Sequence, residues 1–442
     1  MALPVIRRKA QYFHKLNEAN AGLNAGCNDV WNRQFISSTT SSARQNTSNS
    51  GNVPLALIHF PLISRKKSMK FKFSAIALAL VAPAAFAQSS VTIYGIVDLN
   101  GQYLSGYAKQ VLVTSGGQSG SRIGFKGTED LGSGLFFDFV LEGGLNIDTG
   151  SSAQGGALFG RQAFGALRSP YGNLSAGRQY SSIYTQTGDF SEFSNVSIGA
   201  TTAVIGGFAG GYEPIRGSAN ATATSTPTGS ELNGSPARVN NSVRYTTPTF
   251  EGFKASVLYG AGEVTGGTSG TRLVDYSARY TNYGLDAYVS YVTDKAANAA
   301  TTANAVTNVG IITASAAYTF GAFKVEGGYL QLDDKRPADM NGKGFWVGGD
   351  YKFGQNTVRA QWVENNPDKN NVALGKTNAY GVGYQFDFSK RTDLYTSFTH
   401  FANDKSPNGA FVGRIGGAIP AGLTTASDRT VNEFVLGLRH SF

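Results

Sequence analysis

The sequence predicts an all-β protein in which 16 antiparallel strands close into a transmembrane β-barrel, with short periplasmic turns and long extracellular loops. Three observations predict this fold. Apolar and polar residues alternate along many segments, short and long turn-rich connections alternate between those segments, and a secretory leader precedes them. No segment after the leader has the roughly 18 consecutive apolar residues that a membrane-spanning helix needs.

The leader is residues 69–87, MKFKFSAIALALVAPAAFA. A positively charged start, an apolar core and an A-x-A site follow one another, which predicts a signal peptide cleaved between Ala87 and Gln88. The segment is too short for a transmembrane helix, and a buried core helix is the alternative. Residues 1–68 show no clear periodicity, so we expect them to be a gene-model extension or a disordered leader.

The net charge of the whole chain is +9, which taken alone suggests an anionic partner such as nucleic acid. Residues 1–87 hold 11 of the 38 basic and 2 of the 29 acidic residues, so residues 88–442 carry 27 of each. The predicted mature chain is therefore neutral, and we expect no nucleic-acid partner. Cys27 also lies in the removed part, which leaves an exported chain without a disulfide.

The strand prediction rests on strict alternation. In LFFDFVLE (135–142), leucine and phenylalanine occupy the odd positions, and Asp138 and Glu142 lie on the other face. GLDAYVSYV (284–292) and YGVGYQFDF (380–388) repeat this pattern. Lipid outside and water inside a barrel require such an arrangement.

The connections support the same barrel. Seven short turns are expected at 129–134, 169–173, 247–252, 281–284, 320–322, 353–356 and 389–393. Eight longer connections are expected at 105–120, 148–157, 182–237, 261–271, 294–308, 333–342, 365–376 and 403–428. Fifteen connections join 16 strands, and residues 88–442 form one barrel domain with both ends on the short-turn side. A soluble β-sandwich or solenoid is the alternative. The predicted leader argues against it, and so does the regular alternation of short turns and long loops through all 16 predicted strands.

Five segments resemble the general-diffusion porins of Gram-negative bacteria, of the kind found in Neisseria, Bordetella and Burkholderia relatives. They are SSVTIYGIVDLN (89–100), SRIGFKGTEDLGSGL (121–135), FGRQAFGALRSPYGNLSAGRQYS (159–181), NNSVRYTTPTFEGF (240–253) and VLGLRHSF (435–442). The resemblance implies a homotrimeric outer-membrane channel for small hydrophilic solutes and ions, with lipopolysaccharide and the barrel-assembly machinery as further partners. It also implies that Phe442, which ends a strand expected to pair with the first, is an assembly signal.

The same resemblance implies a pore constriction in which the third long loop, 182–237, folds into the barrel. Its acidic residues Asp189 and Glu192 would then face a row of wall arginines, for which matching motifs offer Arg122, Arg161, Arg178 and Arg244. Because arginines outnumber acids in this set, we expect a mild anion preference.

Strand parity supports three of these arginines. Residues next to each other in a strand face opposite sides, so Arg122 faces the lumen if its neighbour Ile123 faces lipid, and Arg244 faces the lumen if Val243 faces lipid. In the same way, Arg161 is expected to face the lumen because residues 162, 164 and 166 are expected to face lipid. Arg178 has the outward parity and would face lipid unless the strand bulges. An arginine facing lipid at mid-bilayer costs about 2–4 kcal/mol. Four further basic residues have the inward parity: Lys126, Arg238, Lys254 and Arg279.

Enzymatic activity and cofactors are not expected. Residues 88–442 contain two histidines, His400 and His440, and no cluster with metal-ligand spacing. The alternatives to free diffusion are a substrate-specific channel, an outer-membrane hydrolase with an active site at the outer rim, and an adhesin or receptor that uses the long loops.

Overall fold

The computed structural model describes residues 90–106, 109–193, 237–261, 272–297, 306–334, 341–368, 376–404 and 430–442. The predicted leader, its predicted cleavage site at Ala87 and Gln88, and most of the third loop lie outside these residues. The first half of the chain contributes strands β1 Ser90–Gly106, β2 Gln110–Ser115, β3 Arg122–Gly132, β4 Leu135–Asn146, β5 Ser151–Ser152, β6 Gln162–Ser169, β7 Gly172–Tyr180, β8 Arg238–Thr246 and β9 Phe253–Gly260.

The second half contributes strands β10 Leu273–Asn282, β11 Leu285–Ala297, β12 Val306–Phe320, β13 Phe323–Asp334, β14 Gly342–Phe353, β15 Asn356–Pro367, β16 Thr377–Asp387, β17 Thr392–Asn403 and β18 Thr430–Ser441. Helix α1 Ser182–Asp189 follows β7, and a 3-10 turn covers Gln154–Gly156. Within the described ranges, neither helical segment has the length and apolar character needed to cross a membrane.

The strands close into the predicted 16-stranded antiparallel barrel. β2 and β3 both pair with β1 and together make the second barrel strand, and the short β5 only pairs with the last two residues of β4. Every other strand pairs with its neighbour in sequence, and β18 pairs with β1, so that Leu438 lies opposite Leu99. Closure leaves no unpaired sheet edge. This matters in a bilayer, because unpaired backbone groups would find no hydrogen-bond partner in the hydrocarbon core.

All seven predicted short turns join strands, at the ends of β3, β6, β8, β10, β12, β14 and β16. Two of them are two-residue turns in which both residues have positive φ: Ser133–Gly134 (54° and 77°) and Tyr283–Gly284 (51° and 81°). Such backbone matches the twist of the flanking strands. The predicted first connection, 105–120, is wrong in extent because Gln110–Ser115 is strand β2. Glycine-rich and serine-rich sequence on both sides hides this short strand.

The two faces of each strand differ as predicted. In β18, Phe434, Leu436 and Leu438 point outward and are 47–50% exposed, whereas Glu433 and Val435 point inward and are fully buried. Outward aromatic rings also contact one another beside the short turns: Phe320 lies 5.6 Å from Phe323, which lies 4.4 Å from Tyr351. An aromatic band near one rim is typical of the membrane interface of such barrels.

The inward face is not polar throughout. Near the long-loop ends of the strands it carries buried apolar side chains, among them Leu258, Val292, Ile311, Leu330, Val363 and Phe401. Strand alternation predicts polar residues at these inward positions, and this prediction is wrong for the long-loop ends of the strands.

Candidate functional site

The start of the third loop lies inside the barrel. Ser181 caps helix α1 by accepting a hydrogen bond from the Tyr184 amide (3.2 Å). The helix then lies against inward residues of β10 and β11: the Ser182 amide donates to Asp275 (2.7 Å), and the Gln186 side chain donates to the Tyr288 carbonyl (2.7 Å). The first turn of the loop is thereby attached to the inner wall.

The chain continues along the wall after the helix. Trp346 of β14 donates its indole hydrogen to the Phe190 carbonyl (2.6 Å), and the Glu192 amide donates to the Gln361 side chain of β15 (2.7 Å). Phe193 then packs on β16, where glycines leave room for its ring. Residues 182–193, called here the infolded segment, therefore follow the inner surface from β10 to β16.

Both acidic residues of the infolded segment contact basic residues of the wall. Asp189 pairs with Arg279 (2.7 Å), which also pairs with Asp286 (2.6 Å). Glu192 is buried and lies 3.3 Å from the Lys324 ammonium. Each of the two carboxylates has a basic partner, so each adds less negative potential to the lumen than an unpaired carboxylate would.

The surroundings of Glu192 also change its protonation. Lys324 contacts Glu326 (3.0 Å) and Asp350 (3.4 Å) as well, so three carboxyl groups share one ammonium. Burial, and after it the negative charge of Glu326, raises the pKa of Glu192 to about 8. This loop carboxyl group is therefore mostly protonated at neutral pH.

The opposite wall gathers basic residues around Glu142 of β4. Arg161 donates from Nε to Glu142 (2.8 Å), and Arg122 lies 3.9 Å from the same carboxylate. Tyr94 and Tyr180 donate their hydroxyl hydrogens to it at 3.0 and 2.8 Å. Glu142 is buried, and these donors offset the loss of its hydration.

Tyr180 connects this group to a further arginine. The guanidinium groups of Arg161 and Arg238 lie 5.8 and 5.3 Å from the Tyr180 ring, and Tyr184 of α1 stacks on that ring at 4.7 Å. Arg244 donates to the Tyr180 carbonyl. The infolded segment thus meets the basic wall where helix α1 begins.

Arg178 lies at an irregularity of its strand. The register between β7 and β8 shifts between Gly177 and Gln179, so Arg178 is not held to the lipid-facing parity. Its Nε donates to the Gly160 carbonyl (2.8 Å), and another nitrogen donates to Asn240. The bulge that the sequence analysis left open is present. Arg122, Arg161, Arg178 and Arg238 are called here the arginine cluster.

The parity argument for Arg161 was wrong. Ala166 is 2% exposed and lies opposite Asp138, so residues 162, 164 and 166 face the lumen rather than lipid. Arg161 nevertheless contacts Glu142. It lies just before the first residue of β6, so the strand's alternation of inward and outward side chains does not fix its direction. Arg122 and Arg244 have the inward orientation that parity predicts.

Sequence reasoning missed several members of the site. Glu142 was placed on the polar face of its strand, but its central position among arginines follows only from the pairing of β3, β4 and β6. Lys324 follows a short turn and gave no signal of contact with the third loop. Tyr180 and Tyr184 were not singled out, although both lie within the segment that resembles porins or directly after it.

Comparison with known proteins decides the family. The model of the family described as "Gram-negative porin" matches residues 74–406. The chain belongs to the Gram-negative porin family. Outer membrane porin protein 32 of Delftia acidovorans is 31% identical to this porin over 384 residues, which cover 84% of this chain and all of the relative. The Neisseria meningitidis protein named major outer membrane protein P.IA is 26% identical, covering 76% of this porin and 86% of itself.

A solved structure has the same fold. The anion-selective porin from Comamonas acidovorans superposes with a TM-score of 0.66 and 26% sequence identity, covering 80% of this porin and all of that chain. This porin is accordingly an outer-membrane channel protein. The roles of Asp189, Glu192 and the four candidate arginines at a constriction stay predictions.

Proposed function

We propose that this porin is a general-diffusion channel that sorts small hydrophilic solutes and ions by size and charge between the infolded segment and the arginine cluster. The infolded segment takes up part of the lumen along β10–β16, which supports sorting by size. A lined narrowing of this kind needs no chemistry, because only its radius and its charges act on the solute.

One observation carries the proposed anion preference. In the described part of the wall, the arginine cluster places two guanidinium groups, those of Arg122 and Arg161, on the one carboxylate of Glu142, and the guanidinium group of Arg238 lies beside them against the Tyr180 ring. The acidic residues of the infolded segment are paired with Arg279 and Lys324, and Glu192 is mostly protonated. These pairs and the protonation of Glu192 reduce the negative potential that the infolded segment sets against the positive potential of the cluster. The porin from Comamonas acidovorans is described as anion-selective, which agrees with this preference.

The test is the zero-current potential of the purified protein in planar bilayers under a KCl gradient. We expect the sign of an anion-preferring channel, and we expect Arg122→Gln with Arg178→Gln to lower the chloride-to-potassium permeability ratio by about twofold. Arg168→Gln is the matched control, because Arg168 pairs with Asp138 outside the cluster. A cation-selective wild type would contradict the proposal, as would an equal effect of the control.

The proposed assembly is a homotrimer surrounded by lipopolysaccharide and inserted by the barrel-assembly machinery. The bilayer recordings also test the trimer, because three equal closing steps under voltage are expected for three open pores. Enzymatic activity is not proposed. The two histidines of the barrel, His400 and His440, contact Asn432 and Thr392 respectively.

A substrate-specific channel is the second candidate, and one observation favours it. The stacked rings of Tyr180 and Tyr184 lie beside Arg161 and Arg238, which offers a solute both aromatic surface and positive charge. Saturable block of the conductance by one solute would favour this candidate over free diffusion.

A further inference from the structure

The second barrel strand is interrupted by a segment that leaves the sheet. β2 ends with Ser115 opposite Leu99 of β1, and β3 begins with Arg122 opposite Ile96. Six residues, 116–121, therefore lie opposite only two residues of β1. The four surplus residues cannot be accommodated in the ladder of hydrogen bonds. Residues 116–121 are called here the inward excursion.

The excursion turns into the lumen. Gly117 packs against Tyr395, an inward residue of β17, so closely that an added Cβ would lie 2.2 Å from the tyrosine oxygen. The Gln118 side chain contacts Gln385 of β16 (2.6 Å), and Ser119 accepts a hydrogen bond from Arg439 of β18 (2.8 Å). These contacts reach across β1 to the far side of the barrel seam.

Asp98 of β1 holds the excursion in place. Its carboxylate is fully buried and accepts hydrogen bonds from three consecutive amides, those of Gly117 (3.2 Å), Gln118 (2.9 Å) and Ser119 (2.6 Å). Tyr395 donates its hydroxyl hydrogen to the same carboxylate. Burying a carboxylate is costly, and four donors converging on it provide the compensation.

The other end of the excursion contacts the arginine cluster. The Gly120 carbonyl accepts a hydrogen bond from Arg122 Nε (2.8 Å). An alanine Cβ at this position would lie 3.1 Å from Arg161 Nη1. The excursion therefore links Asp98 to both arginines that contact Glu142.

The excursion also lies beside the end of the infolded segment. Gly117 and Gln118 line a small cavity together with Phe193, Arg359 and Ser397. Both segments therefore occupy part of the lumen next to β16 and β17.

We propose that the inward excursion is a second constricting element of the channel, and that Asp98 is a positioning residue that sets Arg122 through it. The selectivity part of this inference rests on the proposed function, because it assumes that the arginine cluster sets ion preference. The constricting part stands on the geometry of the excursion alone.

Asp98→Asn tests the inference, because positioning and simple charge removal predict opposite results. Asparagine presents an amide hydrogen to backbone donors, so the excursion should be released. We expect the single-channel conductance to rise about 1.5-fold. We also expect the chloride-to-potassium permeability ratio to fall about twofold, because salt in the wider lumen screens the charge of the arginine cluster more strongly. Removing one lumen carboxylate without moving the excursion would instead leave the conductance unchanged and raise the ratio.

Asp138→Asn is the matched control. It makes the same chemical change at an inward carboxylate of β4 whose partners are Arg168 and Thr128. It should leave the conductance unchanged and leave the ratio unchanged or raised. If Asp98→Asn behaves like this control, the inference is overturned.

Tyr395→Phe keeps the test possible if Asp98→Asn does not assemble. This change removes one of the four donors to Asp98 and should shift conductance and selectivity in the same directions by smaller amounts. Unchanged values in an assembled Tyr395→Phe channel would overturn the inference. A cation-selective wild type would contradict the proposed function, whereas a higher conductance of the variants would still support the excursion as a constricting element.

Discussion

Glu192 shows how the charge of one residue depends on the packing around it. As a free loop carboxylate it would be ionised at neutral pH. Packed against the wall, it shares Lys324 with Glu326 and Asp350, while its carbonyl accepts a hydrogen bond from Arg359 (3.0 Å). Glu192 is recognisable in the sequence as an acidic loop residue, but its protonation depends on neighbours that only the fold brings to it.

The ion selectivity should therefore depend on pH near the raised pKa of Glu192. Because that pKa is about 8, the side chain gains a negative charge as the pH rises from about 7 to about 9. We expect the chloride-to-potassium permeability ratio to fall by about 1.5-fold over this interval. Zero-current potentials measured at several pH values provide the test.

Glu192→Gln is the comparison for this pH series. The variant cannot ionise at this position, so its selectivity should change less between pH 7 and 9 than that of the wild type. Equal pH dependence in the two proteins would show that other lumen groups cause the change.

At the scale of elements, the infolded segment depends on glycines of a neighbouring strand. The Phe193 ring lies over Gly381 and Gly383 of β16, and a Cβ added at either glycine would lie 2.9 Å from it. Any other residue at these two positions would collide with the ring. The two glycines thus leave the space on the wall in which the Phe193 ring packs.

Gly383→Ala should displace Phe193 and loosen the infolded segment. Arg359 also lies 3.1 Å from the added Cβ, so the collision cannot be relieved in that direction without moving a second side chain. We expect the conductance to rise by up to about 1.5-fold, with more frequent brief fluctuations of the current. Single-channel recording measures both quantities.

Gly101→Ala is the matched control for this change, because no atom lies within 4 Å of the added Cβ. Its conductance and current noise should equal those of the wild type. Unaltered recordings for Gly383→Ala would show that Phe193 does not anchor the segment.

Regular elements were predictable from the sequence, and irregular ones were not. Alternation and turn residues predicted the 16 strands and the seven short turns, because period-2 patterning and positive-φ turns are local properties. The inward excursion, the displaced Arg161 and the bulge at Arg178 escape such reasoning, since each breaks the alternation that it relies on. The pairs that Glu142 and Lys324 make depend on which strands become neighbours.

For the whole molecule, the contact between β1 and β18 completes the barrel. The Gly95 amide donates to the Phe442 carbonyl and the Phe442 amide donates to the Gly95 carbonyl, both at 3.1 Å. The seam is therefore hydrogen-bonded up to the last residue. The proposed role of Phe442 as an assembly signal adds to this structural role.

Phe442→Ala separates these two roles. The change keeps the backbone hydrogen bonds to Gly95 and removes the aromatic ring, so the barrel can still close. We expect a several-fold lower yield of heat-modifiable, membrane-inserted protein, while the inserted molecules should have the wild-type conductance. Phe442→Tyr retains the ring and should assemble normally. A normal yield for Phe442→Ala would contradict the proposed signal.

The pairing of the first strand with the last has a consequence for biogenesis. β1 cannot acquire its final neighbour until the C-terminal β18 has been delivered, although β1 leaves the export channel long before it. During that interval the chain exposes an open strand edge, which is prone to association with other chains. A chain that lacks β18 would keep that edge permanently, because without this strand the barrel cannot close.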